Sequence, residues 1–134
     1  MTALEPGAAL EPLVIDAVDA GPMKTMAVLL RDPNPIHWDV EVVRKLGLGE
    51  RPVNQGPINV GYLMELAART AGGPQNVRRF AVRFVGNVFA GDRVVCSGQV
   101  EAVDQASATA QLTLLAEVDG RAVLSGNATI VVPA

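Results

Sequence analysis

Arg51–Gly73 reads RPVNQGPINVGYLMELAARTAGG, and its periodicity governs how the rest of the chain can be arranged. Pro57 suits an early helical position and Gly72-Gly73 suits a helix stop. Between them Ile58, Tyr62, Leu63, Leu66, Ala67 and Thr70 recur at helical spacing. Val60, Met64, Ala68 and Ala71 fill most of the opposite face, leaving only Asn59, Glu65 and Arg69 as polar interruptions. A helix apolar nearly all round is normally wrapped by other structure, so this is expected to be the central helix.

Downstream, the period changes from helical to two. In RRFAVRF, Phe80, Val82 and Phe84 alternate with Arg79, Ala81 and Arg83. Gly91-Asp92 turns into RVVCSGQVEAV, TAQLTLLAEV follows, and Asp119-Gly120 is a type I′ hairpin signal leading to RAVLSGNATIVV. Four such strands in succession are expected to form an antiparallel meander. Upstream, Pro6, Gly7 and Pro12 mark an extended lead-in, and Leu13 to Val18 fits a short strand. Gly21-Pro22 opens the helix-favouring MKTMAVLL, which Pro33 and Pro35 stop. Asp39 can cap a second helix, VEVVRKLGL, ended by Gly47 or Gly49. The expected class is α+β, with an antiparallel sheet wrapped on one long helix.

The 134 residues are enough for one domain, 1–134, and not for two. Hydrophobic residues make up 49% and charged ones 19%, which argues for a buried core and against disorder. Aromatics are only 4%, so aliphatic side chains must build that core. A net charge of −3 gives no global attraction to nucleic acid or anionic membrane. No apolar run approaches the roughly 20 residues of a membrane span. MTALEPGAALEP lacks the basic-then-apolar pattern of a secretory signal. The single cysteine, Cys96, fits a reducing cytoplasm, and its apolar strand context reads as a core thiol. One histidine and one cysteine, far apart, lack metal-ligand spacing, so no metal is expected.

RDPNPIHWD, Arg31–Asp39, holds the only histidine of the chain between two prolines and two aspartates. Asp32 and His37 are held across a stiffened segment, as an acid–base pair requires. His37 can exchange a proton near neutrality, and the Asn34 amide can bond local backbone and fix the turn. The spacing alone has little specificity and favours a capping aspartate and a satisfied loop histidine.

The whole segment is more specific. DPNPIH closely resembles the D-x-N-P-hydrophobic-H motif of the MaoC-like, or (R)-specific enoyl hydratase, family of hot-dog folds. LGLGERPVNQG resembles that family's connection into the central helix, and VRRFAVRFVGNVFAGDRVVCSGQV its strand ending at a Gly-Asp turn. The resemblance runs from about Leu10 to Val132. It implies that Asp32 and His37 hold one water and act as general acid and base on a 2-enoyl or 3-hydroxyacyl thioester. It further implies that the backbone N–H of Gly56 faces the thioester oxygen, a role that a helix N-terminus suits electrostatically. Asn34, Gln55 and Ile58 would line the substrate site. Two positions depart from the family: Gln55 stands where many relatives have histidine, and Val43 where a small residue is usual.

The resemblance implies no resident cofactor, the substrate being carried on coenzyme A or on the phosphopantetheine of an acyl carrier protein. It implies pairing with a second hot-dog unit, in a homodimer or with a related chain. Two subtypes remain open: a carrier-protein dehydratase subunit, and the small catalytic subunit of a steroid side-chain hydratase, which NQGPINVGYLMEL resembles. A non-catalytic hot-dog subunit and a thioesterase using Glu65 are the alternatives. Arg78, Arg79 and Arg83 read as a solvated strand face, with phosphate binding as the other reading.

Overall fold

The computed structural model describes residues 4–132, so Met1–Ala3 of the lead-in and the last two residues lie outside the description. Helix α3 (Gly56–Ala71) forms where the periodicity placed it, starting after Gln55 in extended backbone and ending at Gly72 in left-handed backbone. Its inner face buries Asn59, Leu63, Leu66, Ala67 and Ala71. Pro57, Gly61, Glu65 and Arg69 form an exposed stripe along the opposite side. One chain therefore covers the helix on one side only. Asn59, expected among the polar interruptions of the surface, points inward.

Five antiparallel strands make the sheet: β1 (Leu13–Ile15), β2 (Val77–Phe84), β3 (Val94–Asp104), β4 (Thr109–Val118) and β5 (Arg121–Val131). Their order is β1-β3-β4-β5-β2. β3, β4 and β5 form the expected meander, and Asp119 and Gly120 turn β4 into β5 with φ of 50° and 74°, the two positive values a type I′ turn needs. The four-strand meander is corrected at β2. It pairs with β5, at the far side of the sheet from β3. The reason is the Val85–Arg93 connection, which leaves the sheet to pair with the segment before α3 through the Val53–Phe89 bridge. A tight β2–β3 hairpin is thereby excluded. The β1 expectation also shortens, from Val18 to Ile15.

The core between α3 and the sheet includes Met23, Leu63, Leu66, Leu112, Leu124 and Ile130, all fully buried. Burying each such side chain is worth roughly 1.5–3 kcal/mol. Two glycines share a row of the sheet: Gly98 faces Leu114, Leu114 faces Gly126, and Gly126 faces Val82. A Cβ on Gly98 would lie 2.3 Å from the Thr113 carbonyl oxygen, and one on Gly126 2.6 Å from that of Ala81. Side chains there would clash with the backbone of the neighbouring strand.

The lead-in lies along β3, with hydrogen bonds from Gly7 N to Val100 O (2.8 Å) and Leu10 N to Gly98 O (2.9 Å). It guards that flank, whereas the outer edge of β2 has no strand partner among the described residues. Phe84, which alternation places on the same face as Phe80 and Val82, is 56% exposed at the end of this strand. α1 (Gly21–Leu30) buries only Met23 and Ala27. α2 (Val40–Lys45) is capped by Asp39, as expected, and ends two residues before Gly47. No helix among the described residues is long and apolar enough to cross a membrane.

Candidate active site

The segment after α1 is held by its own short polar side chains. Arg31 takes a left-handed conformation and Asp32 N–H returns to the Ala27 carbonyl at 2.9 Å. Asp32 Oδ1 then accepts from Asn34 N–H at 3.0 Å, and Asn34 Oδ1 accepts from Ile36 N–H at 3.3 Å. These two successive side-chain turns start a 3-10 turn over Pro35–His37 and leave Asp32 Oδ2 free to face inward. Both Asp32 and Asn34 therefore act as turn-makers.

His37 is buried, with 7% of its surface exposed. Its Nδ1 lies 2.6 Å from the Val53 carbonyl oxygen, and its Nε2 lies 3.4 Å from Asp32 Oδ2. A carbonyl only accepts, so Nδ1 must carry the proton, and Nε2 of the neutral ring presents a lone pair. The lone pair and the carboxylate oxygen are then two acceptors facing each other. Neither can bond the other directly, but a water or alcohol O–H group can donate to them. A hydroxyl-bearing molecule lying to one side of the pair can donate to both.

The same strap that aligns His37 leads into the helix. Val53 N–H donates to Ile36 O at 2.9 Å, Asn54 N–H to Val88 O at 2.7 Å, and Ala90 N–H to Pro52 O at 2.9 Å. Three residues after Val53 comes Gly56, the first residue of α3. Its N–H has no hydrogen-bond partner among the described residues, as expected of a donor in the first helical turn. A Cβ on Gly56 would lie 3.0 Å from Phe84 Cε1, so the glycine admits the aromatic ring against the helix N-terminus.

Asp32 and His37 are thus brought together, with Gly56 at the end of the strap that holds His37. Asn34 is exposed and caps the 3-10 turn. Ile58 is half-buried and packs against the core. Gln55 is fully buried, and its Nε2 donates to the Met23 carbonyl at 2.6 Å, so it joins α3 to α1. Glu65 is paired with Arg69 on the exposed stripe of α3. Cys96 is fully buried, and burial pushes its thiol up to about 11, with a smaller push from Glu65. Arg79 and Arg83 are exposed on β2, and Arg78 donates to the Gln75 carbonyl at 2.7 Å.

Two features had weaker signals in the sequence. A groove of about 320 Å³ beside Asp32 is lined by Lys24, Ala27, Val28 and Trp38. It continues onto an apolar end of α1, where Val28 is 77% and Leu29 72% exposed. The Val53 carbonyl is backbone and has no side-chain signature at all.

An antiparallel sheet laid on a central helix, with an Asp–His pair beside the strap that leads into that helix, is the architecture of a hot-dog protein. Residues 9–121 match the family described as MaoC like domain, and the chain belongs to that family. Among solved structures it is similar to the (R)-hydratase from A. caviae involved in PHA biosynthesis, with a TM-score of 0.85 and 24% identity over 99% of this chain and 100% of the other. R-hydratase PhaJ1 from Pseudomonas aeruginosa gives a TM-score of 0.81 and 22% identity, covering 97% and 83% of the two chains. The ChsH1-ChsH2 complex from Mycobacterium tuberculosis gives 0.80 and 19%, covering 99% and 100%. Among curated proteins no match is found.

Proposed function

We propose that this chain is a hydratase/dehydratase that adds water to a 2-enoyl thioester, or removes it from a 3-hydroxyacyl thioester. The observation that carries the reading is the Asp32–His37 pair, 3.4 Å apart, with the histidine proton committed to Val53. A water held between the two bases gives up a proton as its oxygen bonds the β-carbon of the enoyl group. The π-electron pair moves onto the thioester oxygen, where Gly56 N–H and the α3 dipole stabilise the charge. The α-carbon then takes a proton from the acid–base pair, and the reverse sequence eliminates water. Acid–base groups placed this way contribute about 10²- to 10⁴-fold to the rate.

The acyl group arrives on coenzyme A or on a carrier protein's phosphopantetheine, and the apolar groove beside Asp32 favours a hydrophobic acyl portion. The unpaired edge of β2 and the exposed apolar end of α1 support pairing with a second hot-dog unit. The likeness to the ChsH1-ChsH2 complex makes a related chain one form that partner can take. The test is incubation with crotonyl-CoA and longer 2-enoyl-CoA, alone and with any copurifying chain, following enoyl-thioester absorbance and free thiol in parallel. Loss of absorbance without thiol release supports hydration; thiol release would instead make the chain a thioesterase.

A further inference from the structure

We infer that Asn54, through a buried network with Asn59 and Tyr62, sets which nitrogen of His37 carries the proton; its kinetic part rests on the hydratase reading. Val53 and Asn54 share one peptide group. Its carbonyl accepts from His37 Nδ1 at 2.6 Å, and its N–H donates to Val88 O at 2.7 Å. Behind it, Asn54 Nδ2 donates to Asn59 Oδ1 at 2.7 Å and to the Tyr62 hydroxyl at 3.2 Å. Asn54 and Asn59 are each 3% exposed, and Tyr62 lies one turn along α3 from Asn59.

Burying two amides is unfavourable unless they are bonded, and apolar residues of similar size would serve the core as well or better. Their place behind the acceptor of the histidine proton points to what they hold. Asn54 Oδ1 has no partner in the present orientation. Turning the Asn54 and Asn59 amides over would let that oxygen accept from Asn59 and from the Tyr62 hydroxyl, so the same two neighbours fix the Asn54 side chain either way.

The consequence for the site is chemical. If the Val53 peptide tilts, Nδ1–H loses its acceptor and the neutral ring can move its proton to Nε2. Nε2–H then faces Asp32 Oδ2 and can bond it directly, which occupies both positions where a water would donate and removes the second base. Asn54 is a positioning residue acting through Val53 and His37.

His37 is the only histidine of the chain, so a nitrogen-15 histidine spectrum reports this ring alone. The wild type should show the neutral ring protonated at Nδ1. Asn54→Leu should introduce an Nε2–H population and lower kcat by about 10- to 100-fold with KM nearly unchanged, a loss of the size that small misplacements cause. Tyr62→Phe, which removes one bond from a half-buried position, should shift the tautomers in the same direction by less. A wild-type ring protonated at Nε2, or a ring that stays wholly Nδ1–H in both variants, would overturn the inference. The tautomer is read without turnover, so an inactive wild type would count against the hydratase reading and leave this one standing.

Discussion

The role of Gly56 can be tested by removing one atom pair. Replacing glycine 56 by glycolic acid, through semisynthesis or translation with the hydroxy acid, turns the Gln55–Gly56 amide into an ester. The donor N–H becomes an oxygen and no side chain changes. Loss of one oxyanion donor costs about 10²- to 10³-fold in kcat, or about 2.7–4 kcal/mol of transition-state stabilisation. The ester also weakens the Gln55 carbonyl, which accepts from Ile58 N–H at 3.1 Å and Asn59 N–H at 3.2 Å. That should cost the fold about 1 kcal/mol, visible as a lower melting temperature and separable from kcat. Gly56→Ala is the control: it keeps the N–H, and its Cβ meets Phe84 Cε1 at 3.0 Å, an exposed ring able to swing away. Crotonyl-CoA hydration at saturating substrate, below the melting temperature, is the assay. An ester variant within about threefold of wild type in kcat would refute the assignment, since that is less than 1 kcal/mol.

Other outcomes follow from the fold. Asp39→Ala removes the side chain that accepts from Glu41 and Val42 N–H, and should cost about 0.5–2 kcal/mol in urea unfolding. Gly98→Ala sets a Cβ 2.3 Å from the Thr113 carbonyl oxygen; it should destabilise by about 1–3 kcal/mol in the same measurement. Cys96 favours its neutral form in the folded state, since burial raises the thiol from 9.0 to about 11. Its contribution is fully present below the unfolded value and is lost as pH rises through the folded one. Between about pH 9 and 11 the wild type should therefore lose stability that Cys96→Ala does not lose, read from melting curves at each pH.

The sequence was most legible where one short segment carries the whole signal. Asp32, Asn34, two prolines and His37 are close in the chain, and local side-chain turns bring the Asp32 and His37 side chains near each other. The central helix and the β3-β4-β5 meander were equally local, fixed by periodicity and by Asp119-Gly120. The place of β2 was not, because period-two alternation says that a strand exists and not which edge it joins. That choice depends on Val85–Arg93 leaving the sheet for Val53. The inward turn of Asn59 was hidden for a related reason. Helical spacing assigns polar residues to the surface, and only Asn54, from before the helix, gives Asn59 a buried partner. Gln55, expected at the substrate, is drawn inside by the Met23 carbonyl. Val53, whose carbonyl orients His37, has no polar side chain to mark it.

In the proposed mechanism Asp32 and His37 hold one water as a unit. The direct measurement is 2-enoyl-CoA hydration by wild type, Asp32→Asn, His37→Gln and the double variant, each confirmed as folded. Each single change should lower kcat by about 10²- to 10⁴-fold. The double variant should be little worse than either single one, because residues acting as a unit are not additive. Single variants that keep wild-type rates, or losses that multiply in the double variant, would contradict the shared water.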